Sequence, residues 1–310
     1  MKKKLLEHKW FSIGLWIVIL IAAWEIGASV VEVTKRTPEN ILPHLSGVVK
    51  AAFSTKPTAG KLTPSQVVLT SAGATLLRAL LGYALGAVIG YILAILMKLS
   101  GIIEKMIFPY LMLIQLIPVI GLAPIILATT GSINQSRVII SAILSFFPVA
   151  TNTLEGMKAV PREKYDLMHI YAAPKWMVYT KVLIPSSKPY LFTGLKTAAP
   201  MAITASILVD TLQGDGGLGC MLSQSLKHAM NIYVFWLIVF FCALLGILSS
   251  YVIGWIQLLV TPSMRAERRS RRPKRRKMQK REKGKEDESY GSISIHQGQY
   301  HQFAAESGRR

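Results

Sequence analysis

Residues 161–185 read PREKYDLMHIYAAPKWMVYTKVLIP and form a polar island between long apolar segments. The flanking chain contains runs without Asp, Glu, Lys or Arg, at residues 79–97, 106–136, 138–154 and 228–264. About 20 apolar residues suffice for a helix to cross the hydrocarbon core of a bilayer. With 51% apolar residues and a mean hydropathy of +0.39, the chain is expected to be an all-α integral membrane protein, and a water-soluble fold is excluded.

The apolar pattern predicts about six membrane-spanning helices. The first, from Trp10 to Val31, follows a lysine-rich start and is interpreted as an uncleaved span rather than a signal peptide. The others are expected at about 66–97, from 106 to an external turn at 129–136, and at 137–156, 190–212 and 232–260. A charged turn at 98–105 and a glycine-rich connector at 213–231 are expected between spans.

The distribution of basic residues predicts the orientation of these spans, because cytoplasmic loops carry an excess of Lys and Arg. Basic residues collect in residues 1–9, in the turn 98–105, in the island and in the C-terminal tail. Residues 32–66 also hold five Lys and Arg, but long segments count less in this rule. Six spans therefore place the island and both termini in the cytoplasm of a bacterial or archaeal cell.

The net charge of +20 is concentrated at one end of the chain. Residues 265–310 hold 15 of the 36 Lys and Arg and 6 of the 16 Asp and Glu, a net charge of +9. This tail has few apolar residues and is expected to be disordered. Because it begins directly after the last span, we expect it to bind anionic membrane lipids, and we do not expect nucleic acid as a partner.

Isolated polar residues within the spans have ordinary interpretations. Arg78 and Lys196 are expected to mark membrane boundaries by extending toward the headgroups, and both are only weak candidates for holding an anion. Glu25 is expected to reach the headgroups rather than to line an ion path. The polar triplet 151–153 (Thr-Asn-Thr) is expected to link helices more than to bind substrate.

Gly82, Gly86 and Gly90 recur every four residues in the second predicted span. Glycines at this spacing lie on one face of a helix and let a second membrane helix approach closely. The stripe therefore predicts a tight helix–helix contact.

No pattern indicates catalysis, a cofactor or a metal. Cys220 and Cys242 are interpreted as unpaired, and the six His are scattered, so no metal site is proposed. The segment GDGGLG at 214–219 lacks the Lys-Ser/Thr of a phosphate-binding loop and is excluded as a nucleotide site.

The island itself has the pattern of two short helices. Pro161 suits the first position of a helix that extends to about Tyr171. Pro174 can begin a second helix, which is expected to end just before Pro185. A cytoplasmic partner could accept Tyr171 and the following alanine pair in a groove. Alternatively, the apolar residues of the island pack against their own spans, and composition alone leaves the two interpretations open.

The island resembles the cytoplasmic "EAA" loop of permease subunits of binding-protein-dependent ABC importers. That loop opens with Glu-Ala-Ala, has a Gly after three intervening residues and ends with Ile-x-Leu-Pro. Here 166–168 (Asp-Leu-Met) stand at the opening, Ala172 stands at the Gly, and Val182, Ile184 and Pro185 stand at the end. Ala172 departs from the pattern and is expected to disfavour a left-handed backbone at this point.

The resemblance continues through residues 1–262, to the branch that imports aliphatic sulfonates, taurine or nitrate. The matching positions, in chain order, are Trp24-Glu25, Leu42-Pro43 with Ser46 and Val48, Ser71 with Arg78 and Gly82, Ile117-Pro118 with Pro124, Pro148 with Asn152-Thr153 and Gly156, Tyr190 with Thr193-Gly194-Leu195, and Gly217-Leu218-Gly219. Their order and spacing carry the resemblance.

The resemblance implies a MetI-like permease fold and a transport subunit that is not an enzyme. It implies three partners: a cytoplasmic ABC ATPase, an extracytoplasmic solute-binding protein and a second copy of the permease. The residues implied to couple the permease to the ATPase are Asp166, Leu167, Met168, Tyr171, Ala172, Ala173, Lys175, Val182 and Pro185. A small anion such as an aliphatic sulfonate, taurine or nitrate is the implied solute.

The expected domains are a cytoplasmic N-terminus at 1–9, a permease domain at 10–262 with its coupling loop at 158–188, and the basic tail at 263–310. Two other functions compete with this interpretation. A secondary carrier would need carboxylates within the membrane or an inverted repeat, and neither is evident in the sequence. A membrane-anchored protein could instead use its basic tail to bind anionic lipid or nucleic acid.

Overall fold

The structure, a computed structural model, describes residues 9–34, 41–54, 63–213, 216–227 and 232–261, and their regular structure is entirely helical. The helices are α1 (Lys9–Thr34), α2 (Leu45–Ala52), α3 (Pro64–Leu99), α4 (Gly101–Leu116), α5 (Val119–Thr130), α6 (Ile133–Lys158), α7 (Arg162–Ile170), α8 (Lys175–Val178), α9 (Ile184–Gln213), α10 (Leu218–Lys227) and α11 (Ile232–Val260). The predicted basic tail lies outside the described residues.

The helices provide up to six membrane spans, in agreement with the predicted number. Five are single segments, at Ser12–Thr34, Pro64–Leu99, Ile133–Lys158, Lys175–Leu212 and Ile232–Val260. A sixth is formed by two helices that are bent by 107° relative to each other, Gly101–Leu116 and Gly121–Thr130. The chain divides into two units at 255/256, and 256–261 are the described part of the second unit.

The third span is broken rather than kinked, at Ile117 and Pro118. Ile117 has an extended backbone (φ −73°, ψ 125°), as a residue before proline prefers, and Pro118 has no N–H for a continuing helix. The external turn predicted at 129–136 is wrong in extent. Gly131 ends α5 in a left-handed conformation (φ 63°), and α6 begins two residues later at Ile133.

Two other predicted connections are shorter than expected. The charged turn expected at 98–105 is reduced to Ser100, whose hydroxyl accepts the Ile102 N–H and caps α4. The connector expected at 213–231 contains a helix, α10. A stretch of polar residues in the sequence is therefore longer than the turn that it contains.

The helix α6 packs most extensively against α3 and α9. The predicted glycine stripe is part of this contact: Gly82, Gly86 and Gly90 face the α6 backbone so closely that a methyl group at any of them would overlap it. On the other side of α6, a methyl group at Gly194 of α9 would lie 2.6 Å from the Pro148 carbonyl oxygen. Small residues therefore create both close contacts, and the prediction from the stripe is confirmed.

The expectation that the polar triplet 151–153 links helices is wrong for its first two members. The Thr151 hydroxyl donates to the Phe147 carbonyl, and the Asn152 amide donates to the Pro148 carbonyl, both within α6. The Thr153 hydroxyl is buried and has no hydrogen-bond partner among the described residues. The first two polar residues of the triplet therefore bond within α6 itself and do not link it to another helix through these hydrogen bonds.

The end of α1 is attached to the segment before α2. The Trp24 indole donates to the Pro43 carbonyl (3.1 Å), and the Glu25 carboxylate accepts the first N–H of α2, from Leu45 (2.9 Å). The second oxygen of Glu25 lies 2.6 Å from Nδ1 of His44. The Glu25 carboxylate is therefore bonded to α2 and to the residue before it, and its approach to lipid headgroups stays a prediction.

Candidate coupling surface and buried ionic cluster

The first half of the predicted island is the helix α7, which ends in a regular capping motif. The N–H of Ala172 donates to the His169 carbonyl (2.9 Å), and the N–H of Ala173 donates to the Met168 carbonyl (3.0 Å). These two bonds are the pattern of a Schellman motif, which requires a left-handed residue just after the helix.

Ala172 occupies that left-handed position, with φ of 47°. The expectation that alanine would disfavour this conformation is therefore wrong for the structure, which keeps the turn that glycine usually makes. The cost of placing a Cβ there is about 1 kcal/mol, which the two capping hydrogen bonds can offset.

The island presents an apolar face to its surroundings. Leu167, Ile170 and Tyr171 follow the i, i+3, i+4 spacing of one helix face and are 52%, 79% and 74% exposed. Trp176 of α8 is 63% exposed. We call these four residues the island face. Asp166, Ala172 and Lys175, three of the predicted coupling residues, are exposed beside it.

Other predicted coupling residues are placed differently. Met168 and Ala173 are half-buried, and Pro185 is exposed. Val182 packs on a buried cluster formed by Met157, Val160 and Leu183, so its side chain faces the spans rather than the surroundings. The structure therefore groups part of the predicted set at the island face and assigns Val182 to the base of the island.

The second half of the island does not end before Pro185, contrary to prediction. A π-helical turn, Tyr179–Leu183, joins α8 to α9 without a break, and the span extends from Lys175 to Leu212. Proline removes one backbone donor and crowds the preceding turn, and a locally wider turn accommodates such a residue within a continuous helix. The island is thus a direct extension of the fifth span.

Three hydrogen bonds that the sequence did not predict lie at the base of the island, where it meets the membrane-spanning helices. The Tyr179 hydroxyl donates to the Lys98 carbonyl at the end of α3 (3.0 Å). Lys158 of α6 donates to Glu104 of α4 (2.5 Å). The Lys164 ammonium of α7 donates to the Ser186 hydroxyl of α9 (3.3 Å). In the sequence, the signals for these contacts were Tyr179, Lys158 and Lys164, which lie close to helix ends. Their bonding partners lie on other helices, so the sequence alone did not identify them.

A second group of polar residues is buried among the spans, around Asp210. One carboxylate oxygen lies 2.6 Å from Nε of Arg137, and the other accepts the Thr75 hydroxyl hydrogen (2.7 Å). The N–H of Gly219 also donates to this carboxylate. Arg78 is more distant, with 3.9 Å between its Nη1 and Asp210. We call Thr75, Arg78, Arg137 and Asp210 the ionic cluster.

The glycine-rich segment before α10 covers the ionic cluster. Arg137 donates to the Gly216 carbonyl (3.1 Å), and the N–H of Leu218 donates to Thr75 (3.0 Å). A methyl group at Gly217 would overlap the Asp210 carboxylate, and one at Gly219 would overlap the Ile207 carbonyl. The glycines therefore serve to bring backbone against a buried carboxylate.

The interpretation of Arg78 and Lys196 as boundary markers is wrong. Arg78 lies within the 36-residue helix α3 and its side chain is 21% exposed. Lys196 is half-buried near the middle of its span, close to Gly254. Arg137, expected at the edge of an external turn, has no exposed surface. Charges in otherwise apolar spans were the signal for this cluster, and sequence spacing alone could not pair them.

Comparison with known proteins agrees with this architecture. Residues 86–266 match the family described as binding-protein-dependent transport system inner membrane component. The formylaminopyrimidine transport permease protein ThiX of Halalkalibacterium halodurans is 29% identical over 248 residues, 80% of this chain and 94% of that protein. The nitrate import permease protein NrtB of Leptolyngbya laminosa is 26% identical over 189 residues, 61% of this chain and 67% of that protein.

The fold is similar to that of a solved structure. The inward-facing MetNI methionine ABC transporter aligns with a TM-score of 0.56 over 63% of this chain and 96% of the compared chain, at 17% identity. This likeness confirms the expected fold class. The chain therefore belongs to the family of binding-protein-dependent transport system inner membrane components, and it is a permease subunit of an ABC importer rather than an enzyme.

Proposed function

We propose that the island face is the surface through which an ATPase subunit drives this permease. The observation that carries the proposal is the combination of four exposed apolar side chains with a base that is hydrogen-bonded to the end of α3 and continues directly into the fifth span. Apolar anchors with charged neighbours are typical of a helix that fits into a groove of a partner. The alternative, that these side chains pack on their own spans, is disfavoured by their exposure.

The continuous helix from Lys175 to Leu212 supports a lever-like role for the island. A push on α7 or α8 would pass into the fifth span through the π-helical turn, because no flexible connection intervenes. The Tyr179 and Lys158 contacts would carry the same displacement to α3 and α4. ATP-driven movement of the partner would then rock the spans between inward-open and outward-open states.

An importer permease of this family works with an ATPase and a solute-binding protein. The chain has no GxxxxGK[ST] sequence, so the energy comes from the ATPase partner. The proposed functional unit contains two copies of this chain, each with its own island face. The molar mass of the purified complex, measured by light scattering, tests this stoichiometry: a single permease copy per complex contradicts it.

The island and both termini are proposed to lie in the cytoplasm. The support is the excess of Lys and Arg in the island, in residues 98–105 and at both ends of the chain. A cysteine introduced at Asp166 should react with a membrane-impermeant maleimide only after the cells are opened. Equal labelling in intact cells would reverse the orientation.

The solute is proposed to be a small anion. The relative NrtB is named for nitrate, whereas ThiX is named for a formylaminopyrimidine, so relatives alone do not decide the class. Charges within the described spans favour an anion, because Arg78, Arg137 and Lys196 outnumber Asp210 among the intramembrane positions of α3, α6 and α9. Uptake of radiolabelled nitrate and taurine, each with and without the gene, tests the proposal.

The basic tail is proposed to bind anionic lipid at the cytoplasmic surface. Its support is the dense cluster of Arg and Lys directly after the last span. A peptide of residues 265–310 should bind vesicles containing phosphatidylglycerol and dissociate as salt is raised. Salt-resistant binding to phosphatidylcholine vesicles would contradict this role.

The coupling proposal is tested by purifying the tagged full chain with its ATPase and measuring ATP hydrolysis in the eluate. Tyr171→Ala should lower the recovered hydrolysis severalfold, because a truncated interface anchor typically costs about 1–2 kcal/mol or more. Phe53→Ala is the matched control, since Phe53 is an aromatic residue that is 83% exposed at the end of α2. Equal recovery from both variants would refute the coupling role of Tyr171.

A further inference from the structure

The charges of the ionic cluster do not balance among the described residues. One carboxylate, Asp210, faces two guanidinium groups, Arg137 and Arg78. Both oxygens of Asp210 are engaged at short distance, one by Arg137 and the other by Thr75. Arg137 has further acceptors in Asn134 and in the Gly216 carbonyl. The excess positive charge therefore belongs to Arg78.

Arg78 has donors without acceptors. Its Nη1 is buried and makes no hydrogen bond to any described residue, and 3.9 Å separates it from Asp210. A buried donor without a partner is destabilising, and the destabilisation is larger for a charged group. The Arg78 side chain as a whole is nevertheless 21% exposed, so it is not completely enclosed by the described residues.

We propose that Arg78 binds an oxyanion, of the kind a nitrate, sulfonate or carboxylate group provides. The planar guanidinium presents parallel N–H donors that match two oxygens of such a group. The fixed carboxylate of Asp210 sits beside the site and repels a second negative charge. A monoanion balances the excess charge of the cluster, whereas a dianion overcompensates it. The site is therefore selective for monoanions over dianions.

Two sources could supply this anion, a transported solute or the phosphate of a membrane lipid. The identification of the ligand as a solute rests on the proposed import of a small anion. Binding of the anion to Arg78 does not rest on that proposed function, because binding requires neither the ATPase nor transport. The experiment is therefore a binding measurement on the full chain, so it can fail while the coupling proposal stands.

The full chain is placed in phosphatidylcholine nanodiscs, and its thermal unfolding is followed by tryptophan fluorescence. Sodium nitrate, methanesulfonate or sulfate replaces sodium chloride at constant ionic strength. Nitrate and methanesulfonate should raise the unfolding midpoint of the wild-type chain by about 3 °C at saturation, and sulfate should raise it less. Arg78→Gln should abolish the rise, and Arg78→Lys should keep part of it.

Lys98→Gln is the matched control, because it removes another positive charge from the same helix, α3, and should leave the nitrate shift unchanged. A second set of nanodiscs containing phosphatidylglycerol distinguishes the two sources. A rise that depends on Arg78 but appears only with this lipid supports the oxyanion site and assigns it to a lipid phosphate.

Three results overturn the proposal. The first is a nitrate shift that survives in Arg78→Gln, and the second is no Arg78-dependent shift with either soluble anions or anionic lipid. The third concerns Asp215, which lies outside the described residues. A shift that appears only in Asp215→Asn identifies Asp215 as the counter-ion of Arg78 and leaves no free site.

Discussion

The carboxylate of Asp210 lies 2.6 Å from Nε of Arg137, and neither side chain has any exposed surface. The two residues belong to α9 and α6, and Thr75 of α3 donates to the same carboxylate. Three spans therefore meet at one buried charge pair. Removing one member of a buried pair leaves the other charge without compensation, which is more costly than removing both.

The first prediction concerns this pair. Asp210→Asn and Arg137→Gln should each destabilise the permease by about 3–5 kcal/mol. The double variant should be less destabilised than the sum of the two single variants, because neither Arg137 nor Asp210 is then left without the other. Denaturant unfolding of the purified chain, followed by tryptophan fluorescence, measures the three differences. Strictly additive effects would show that the two residues act independently.

The second prediction concerns the glycines over Asp210. Gly217→Ala and Gly219→Ala should prevent the loop from covering the cluster, because each methyl group would overlap atoms of α9. Both variants should give little folded protein after purification. Gly73→Ala in α3 is the control, since nothing lies within 4 Å of its Cβ position, and it should be neutral or stabilising. Normal yield of Gly219→Ala would contradict the described packing.

The third prediction concerns the left-handed alanine after α7. Ala172→Gly should stabilise the island by about 1 kcal/mol, because glycine adopts the same φ of 47° without strain. Ala172→Val should destabilise it, since a β-branched residue tolerates this conformation least. Hydrogen exchange of the α7 amides reports the change locally. Ala173→Gly is the comparison, and slower exchange in that variant than in Ala172→Gly would argue against the strain.

The fourth prediction separates coupling from folding. Asp166→Lys, or Ala173→Trp, should lower uptake or release the ATPase, while the permease remains folded in the membrane. Glu163→Lys makes the same charge reversal one turn earlier on α7 and should have a smaller effect. Uptake and ATPase recovery are measured side by side in all variants. Wild-type values for both Asp166→Lys and Ala173→Trp would remove the coupling role from this helix.

The fifth prediction is a pH dependence at the end of α1. Hydrogen bonds to Glu25 first, and then to Glu32, raise the pKa of His44 above its usual value of about 6.5. Because the folded-state pKa exceeds the unfolded-state pKa, this stabilisation is complete below about pH 6.5 and is lost as the pH rises through the folded-state pKa.

Hydrogen exchange of α2 amides, corrected for intrinsic rates, should therefore show less protection above that pKa in the wild-type chain. The protection of His44→Gln should not change across the same pH range. Identical pH profiles for the two proteins would mean that His44 does not contribute. The effect should be small, because His44 and Glu25 are both partly exposed and water screens their interaction.

The family motifs in the sequence have physical explanations that only the folded chain provides. Trp24-Glu25 and Leu42-Pro43 stood apart in the sequence, and the structure pairs them through the Trp24–Pro43 hydrogen bond and the Glu25–Leu45 hydrogen bond. The GDGGLG segment is not a nucleotide site. Its Gly217 lies against the Asp210 carboxylate, and its Gly219 lies against the Ile207 carbonyl oxygen. Such motifs mark contacts, and their partners come from distant parts of the chain.

The sequence by itself determined the all-α class, the number of spans and the position of the island, because run length, charge and glycine spacing act within a single helix. It did not determine where helices end, since a single serine or a π-helical turn suffices where a polar stretch suggested a longer turn. The tertiary structure alone decided that Arg78, Arg137 and Asp210 share one cluster. A buried charge is tolerated only when its partner is supplied across a helix interface, and the register of that interface is set by packing among helices that are far apart in the sequence.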